Sequence, residues 1–385
     1  MNQRSSRVDI AGAGPAGLAA AITMAHSGLQ VTVHERNQQV GQRFHGDFQG
    51  LENWSTDENV LDELARLGIV PDFPSTPFRE VVLFDPEGKA YPIKSEQPLF
   101  YLLRRGPGTD TLDTTLLRQA RNAGVNVLFQ SKHQHMPLGG IAATGPHQPD
   151  AIAVGYNFTT DMADGVFTLL GNRYAPGGYS YLLISRGCGT LASCMFKDFH
   201  NENDYLGHSL DFFTRRLGLK MHEPQRFGGS GNFFLSHTAR RGEMLYVGEA
   251  AGFQDPFAGF GMRYAMLSGY IAGKAFASQR LTDYDPSWRR RLLGQIQAGF
   301  VNRLLFESFG DSASRHLARR SSANSEVLAW LRRRYQPTWL TYLLLPLARY
   351  SRKHRRGHLC IDENCDCTWC RCARHNQPDR QEAAA

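Results

Sequence analysis

Three glycines, one carboxylate and a run of cysteines are the residues of this chain whose spacing can do chemistry. Gly12-Ala13-Gly14-Pro15-Ala16-Gly17 follows directly on Val8-Asp9-Ile10-Ala11, and Gln30-Val31-Thr32-Val33-His34 closes on Glu35-Arg36. A strand, a Gly-x-Gly-x-x-Gly turn, a helix and a second strand ending in an acid make a dinucleotide-binding unit. Gly12 permits the tight turn. Gly14 lets the backbone approach a pyrophosphate, whose charge the helix N-terminus favours. Gly17 lets helix and strand pack closely. Glu35 stands about 20 residues beyond the turn, where a carboxylate accepts hydrogen bonds from ribose hydroxyls. Pro15, Ala16 and Arg36 are counted with this cofactor site. Alone, the stretch leaves NAD and FAD both open.

The cysteines are Cys360, Cys365, Cys367, Cys370 and Cys372, flanked by His358 and His375. Thiolates two and three residues apart can converge on one ion, as zinc or an iron–sulfur cluster. Their crowding is not a secreted disulfide framework. Cys188 and Cys194 read as plain buried residues on strands.

These residues need elements to position them. A helix is expected from Leu18 to His26, ended by Gly28. Glu80–Phe84 and Ala90–Ile93 read as a hairpin around Pro86-Glu87-Gly88, unlike the opening β-α-β pattern. Ile152–Phe158, Val166–Leu170, Tyr179–Ser185 and Leu191–Phe196 read as a second sheet. Helices are expected at 112–123, 204–217 and 263–278, and from 286 to 350. The expected fold is α/β, a Rossmann-like nucleotide domain interrupted by an antiparallel substrate sheet and followed by helices. The nucleotide domain takes residues 1–75, 101–150 and 231–285, and the substrate domain takes 76–100 and 151–230. A helical region (286–350) and a Cys-rich tail (351–385) complete the 385 residues.

Apolar content of 42% and charged content of 21% are those of a globular protein. The net charge of +7 is placed unevenly, with Arg289-Arg290-Arg291, Arg319-Arg320, Arg332-Arg333-Arg334 and Arg352-Lys353-His354-Arg355-Arg356 all late in the chain. Such a region faces solvent, anionic lipid or an acidic substrate. No nucleic-acid motif accompanies it, and nucleic acid is not expected as a partner. No apolar run reaches the roughly 20 residues needed to span a bilayer. Trp339–Leu347 comes nearest, and with basic flanks it can lie on a membrane surface. The expected location is the cytoplasm, with peripheral membrane contact through the basic C-terminal region.

A second motif decides the nucleotide. Met244–Val247 reads as a strand, and Gly248-Glu249-Ala250-Ala251-Gly252-Phe253-Gln254-Asp255-Pro256-Phe257-Ala258-Gly259-Phe260-Gly261-Met262 runs from it into a helix. This segment resembles the Gly-Asp motif of FAD enzymes with the para-hydroxybenzoate hydroxylase-type fold. In detail it resembles the geranylgeranyl reductase-like branch, as do Tyr264-Ala265-Met266-Leu267-Ser268-Gly269 and Pro176-Gly177-Gly178-Tyr179-Ser180-Tyr181. The resemblance runs from about residue 7 to about 310. It implies FAD as cofactor, with the ADP half on the first motif and the flavin half on Gly248, Glu249, Pro256, Gly259, Gly261 and Met262. Arg104 and Arg105 stand where the family has an arginine near the phosphates. Three positions depart from the family: Glu249 replaces Asp, Tyr181 with Leu183-Ile184-Ser185 replaces a Trp and Phe-Pro-Lys, and Ala143-Thr144-Gly145 replaces the hydroxylases' Asp-Gly.

The resemblance also places the loop at 42–50 and the strand from Tyr179 beside the flavin, which makes His45, Asp47 and Tyr179 the candidate proton donors. The expected function is FAD-dependent reduction of a carbon–carbon double bond in an apolar, isoprenoid or lipid-like substrate. NAD(P)H would act as a transient electron donor, because no second Gly-rich unit marks a nicotinamide domain. The alternatives are an FAD monooxygenase on the same scaffold, and a flavin and metal electron-transfer protein with a redox partner protein. Halogenation is not expected, because no Trp-x-Trp-x-Ile-Pro segment accompanies Asp255-Pro256.

Overall fold

The computed structural model describes residues 7–356, apart from 134, 135, 137, 138, 147 and 148. Its helices are α1 (Pro15–Ala25), α2 (Val60–Arg66), α3 (Leu112–Asn122), α4 (Glu202–Leu217), α5 (Met262–Ala277), α6 (Tyr284–Trp288), α7 (Gly294–Phe309), α8 (Asp311–Ser322), α9 (Val327–Arg334) and α10 (Trp339–Arg356).

The first sheet grows from Arg7–Ala11, whose apolar side chains are buried. It pairs in parallel with Gln30–His34 on one side and Gly140–Ala142 on the other. The full order is Arg240–Arg241, Met244–Tyr246, Gly140–Ala142, Arg7–Ala11, Gln30–His34, Asn126–Leu128. The chain leaves Arg7–Ala11 at the point where the strand order reverses, and doubly wound sheets bind ligands in the crevice at that point. α1 is Pro-Ala-Gly-Leu-Ala-Ala-Ala-Ile-Thr-Met-Ala, with Pro15 at its first turn and nearly every residue buried. Its small side chains let α5 come against it backbone to backbone. A Cβ on Gly269 would lie 2.1 Å from the Ala16 carbonyl oxygen, and one on Gly273 2.9 Å from that of Ala20.

The second sheet has seven strands in the order His222–Gly231, Ala151–Thr159, Cys188–Met195, Tyr179–Ser185, Gly165–Leu170, Glu80–Phe84, Ala90–Lys94. Neighbours are antiparallel except Gly165–Leu170 with Glu80–Phe84. Alternation along Tyr179–Ser185 splits its side chains between two faces. Leu182 and Ile184 join a core with Leu206 and Phe213 of α4. Tyr181 and Leu183 point the other way, into a cluster with Phe48, Trp54, Phe100, Phe257 and Phe260. A third sheet links the two large ones. It pairs Phe48–Glu52 and Ser75–Phe78 antiparallel on either side of Phe100–Arg104.

The sequence places most of these elements within a residue or two. Two depart from it. His222–Gly231 is a strand that polar and Gly-rich composition conceals, and α10 runs on to Arg356, into the stretch expected to be tail. The architecture is an α/β fold in which an antiparallel sheet interrupts a Rossmann-like domain and helices follow.

Candidate active site

The two glycine motifs, more than two hundred residues apart, meet at Ala16 and Gly248. A Cβ on Gly248 would stand 3.0 Å from the Ala16 Cβ. Gly12 has φ +105°, and a Cβ there would meet the Ala143 carbonyl oxygen at 2.3 Å. Only glycine fits that backbone. A Cβ on Gly17 would lie 2.0 Å from the Gly12 carbonyl oxygen. Gly14 differs from both. Its φ of −78° and ψ of 177° suit any residue, and an added Cβ meets no protein atom within 4 Å. Neither backbone nor packing explains this glycine, whereas close approach of a ligand does.

Glu35 is buried beside the turn. Its Oε2 accepts from the Ala13 N–H at 2.9 Å, and its Oε1 accepts from the Asn37 backbone and side-chain N–H groups. Oε1 is thereby filled, and Oε2 keeps a further lone pair for a hydroxyl. Arg36 is exposed next to it. The N-termini of α1 and α5 carry no side-chain cap and no acid in their first turns. Their N–H groups and dipoles therefore favour an anion or developing negative charge. Glu249 lies between them. Its Oε2 is 2.8 Å from Arg43 Nη2, while its Oε1 is buried without a hydrogen-bond partner. Gln254 Oε1 is buried and unpartnered too. Uncapped helix ends, orphaned acceptors and the unhindered Gly14 together fit a dinucleotide carrying a pyrophosphate and a polyol chain.

The loop from Gln254 to Gly261 is built by one acid and one arginine. Asp255 is fully buried. Its Oδ1 accepts from the Phe257 N–H at 2.9 Å, and its Oδ2 accepts from the Ala258 N–H and the Tyr335 hydroxyl, each at 2.8 Å. Burial pushes its carboxyl up. Arg303 of α7 donates to the Pro256, Phe257 and Gly177 carbonyl oxygens and stacks on the Phe196 ring. Gly259 has φ +82°, Gly261 caps α5, and Met262 opens it. Below the α5 N-terminus lies a second ionic group. Arg263 is paired with Glu63 at 2.5 Å, Arg291 with the same carboxylate at 2.9 Å, and Glu52 sits alongside. Glu52 Oε1 accepts from Ser55, while Oε2 is buried and unpartnered. Burial, only partly offset by Arg263, raises its pKa to about 7.

The expected proton donors divide. His45 is exposed on the loop, with its carbonyl accepting from the Asn157 amide. Asp47 is buried, and both its oxygens already accept, from the His45 N–H at 3.0 Å and the Gln49 amide at 2.7 Å. Tyr179 donates its O–H to the Ala258 carbonyl at 2.6 Å, and burial drives its phenol well above the usual range. Its proton is committed to holding the loop. Of the two candidate arginines, Arg105 is buried in a bidentate pair with Asp113, both contacts 2.9 Å. Arg104 is half-buried over the Phe48 ring.

Residues 8–47 match a model of the FAD binding domain. The digeranylgeranylglycerophospholipid reductase of Methanocaldococcus jannaschii is 22% identical over 362 residues, which cover 79% of this chain and 87% of the relative. The chain is an FAD-dependent oxidoreductase similar to the geranylgeranyl reductases. The solved structure of a geranylgeranyl bacteriochlorophyll reductase-like protein from Thermoplasma acidophilum shares its fold, with a TM-score of 0.68, 18% identity and coverage of 91% of this chain and 98% of that one. A flavin-dependent brominase shares it too, with a TM-score of 0.60 and 18% identity over 90% of this chain and all of its own.

No spacing signal marked Arg303, Tyr335 or Glu52 for this oxidoreductase. Cys188 and Cys194, expected to be buried, are each only half-buried on their strand; desolvation pushes the Cys194 thiol up to about 12. The five tail cysteines lie outside the described residues. Among the described residues, Asp9, His34 and His133 bring three ligand atoms within 4.8 Å. The two imidazoles stack 4.2 Å apart at 14°, which sets their in-plane lone pairs side by side rather than toward one ion.

Proposed function

We propose that the enzyme reduces carbon–carbon double bonds of an apolar isoprenoid or lipid-like substrate. The observation that supports this most is the cluster of Phe48, Trp54, Phe100, Leu183, Phe257 and Phe260, which packs as an apolar wall beside the loop leading into α5. An apolar chain buried there loses water contact along its length, which favours binding without a polar handle. Bound FAD supplies hydride chemistry that no side chain can perform.

The chain's own residues bind, orient and supply a proton. Gly14 and the α1 N-terminus receive the pyrophosphate, Glu35 the ADP ribose and Glu249 the ribityl chain. The α5 N-terminus, from Gly261 and Met262, would stabilise negative charge developing on a bound flavin. Arg303, Asp255 and Tyr179 fix the loop that would support it. His45, exposed on the loop and free of a side-chain hydrogen bond to Asp47, is the proton donor. Asp47 anchors that loop through the His45 backbone N–H. NAD(P)H or a redox partner protein restores the reducing equivalents. The relatives named as reductases support this reading.

Hydroxylation on the same scaffold is the second reading, supported by the fold shared with the brominase. Pre-reduced enzyme mixed anaerobically with a geranylgeranyl-chain lipid separates the two. Reoxidation of the flavin absorbance without oxygen is expected for a reductase. Reoxidation that waits for air would overturn the proposal.

A further inference from the structure

α10 is apolar on two opposite faces. Thr341 and Ala348 are buried, with Leu344 and Leu345 half-buried, where the helix packs on the core. Trp339, Tyr342, Leu343, Leu347 and Tyr350 lie on the other side and are 54–76% exposed. Their spacing of three and four residues puts them in one stripe along the helix. A stripe of this size, with Trp and Tyr in it, is unusual on a surface that meets only water.

The charge around the stripe says what covers it. From Val327 to Arg356 the sequence carries seven arginines and one lysine, and no Asp or Glu. Beside α10 lies a groove of about 290 Å³ between α7, α9 and α10, lined among others by Asn302, Trp330, Arg333, Arg334 and Leu340. A second copy of this chain seated stripe to stripe would bring two cationic surfaces together. A surface that is apolar inside and anionic at its rim complements both features at once. We propose that the outward face of α10, with its arginine-lined groove, seats on the surface of an anionic phospholipid bilayer.

In that pose the Trp, Tyr and Leu side chains enter the headgroup–acyl boundary, and Arg333 and Arg334 meet lipid phosphates. No helix among the described residues is long and apolar enough to cross a membrane, so the contact is one of lying on the surface. The docked face also leads to the site. Tyr335, four residues before Trp339, reaches Asp255 of the loop at the α5 N-terminus. The apolar cluster proposed for the substrate includes Val327 of α9. The docking itself does not rest on the proposed reduction.

The test is flotation of the full-chain yellow protein with vesicles of phosphatidylcholine, with and without phosphatidylglycerol, at about 0.1 M and about 0.5 M salt. Binding is expected to the anionic vesicles only, and to weaken at the higher salt. Leu343→Glu with Leu347→Glu is expected to lower binding at least about tenfold, with flavin content and melting temperature unchanged. Arg333→Ala with Arg334→Ala should lower it several-fold and flatten its salt dependence. Wild-type-like flotation of the Leu343/Leu347 double variant would overturn the proposal. So would failure of the wild type to float. In that case, a dimer by light scattering that the double variant converts to monomer would assign the stripe to a second copy, and a monomer would assign it to another segment of this chain. Vesicle binding without any lipid reduction would leave the docking standing and remove the proposed reaction.

Discussion

The hydroxyl of Tyr335 donates to Asp255 Oδ2 across 2.8 Å, in the buried interior. This bond joins the C-terminal helices to the loop that opens α5, and makes them part of the site rather than an appendage. Asp255 also takes two backbone N–H groups of its own loop, so its position depends on both. Tyr335→Phe keeps the packing and removes the one bond. A loss of about 1 kcal/mol is expected, with flavin retained and KM for an apolar substrate raised more than kcat is lowered. Calorimetry and steady-state kinetics check it. An unchanged KM would show that the loop does not depend on the bond.

Gly14 and Gly17 separate binding from folding. A Cβ at Gly14 meets no protein atom within 4 Å, so Gly14→Val is expected to fold with near-wild-type secondary structure but to purify colourless. Gly17→Val drives side-chain atoms into the Gly12 carbonyl and is expected to fail at folding. Circular dichroism and visible absorbance read both outcomes. A yellow Gly14→Val with full occupancy contradicts the pyrophosphate assignment.

Arg104 and Arg105 are adjacent in sequence and differ in burial. Arg105→Ala strips Asp113 of its buried bidentate partner and is expected to cost about 3 kcal/mol or more. Arg104→Ala loses only a stacking contact over Phe48 and is expected to cost under about 1 kcal/mol. Thermal melts of the two variants give the comparison directly, and equal losses would contradict it.

Glu52 gives the stability a pH dependence of known sign. Its carboxyl sits at about 7 in the fold against 4.5 for the ordinary group. Between those values the folded state keeps the proton that the unfolded state has released, so stability falls as pH rises through that window. The full fall is about 3 kcal/mol, complete just above neutrality. Glu52→Gln cannot ionise and removes this component. Denaturant titrations of both proteins from acid to mildly alkaline pH are expected to diverge above about pH 5, with the variant the more stable. Parallel curves would show that Glu52 does not carry the shift.

The contrast between Gly14 and Tyr335 explains what could be read in advance. Nucleotide turns are local. Gly12, Gly14, Gly17 and Glu35 sit within one β-α-β unit, and Gly248 to Met262 within one strand–loop–helix, so type and spacing are enough to place them on those elements. The alternating strands from Ala151 to Met195 were legible for the same reason. The third sheet was not, because Phe48–Glu52, Ser75–Phe78 and Phe100–Arg104 are separated by other elements and meet only in space. His222–Gly231 was hidden by Pro224 and its glycines, which an edge strand tolerates because one side of its backbone needs no ladder partner. Arg303 and Glu52 carry no motif. Their roles come from burial, which a single sequence does not display.

The reaction proposed for this enzyme is hydride delivery from bound FAD to an alkene in an apolar chain. Mass spectrometry of a geranylgeranyl lipid after anaerobic incubation with the chemically reduced enzyme tests it most directly. A product heavier by two hydrogens for each double bond reduced is expected, absent from the Gly14→Val control. An unchanged lipid under argon, with oxygen incorporated only after air is admitted, would contradict it.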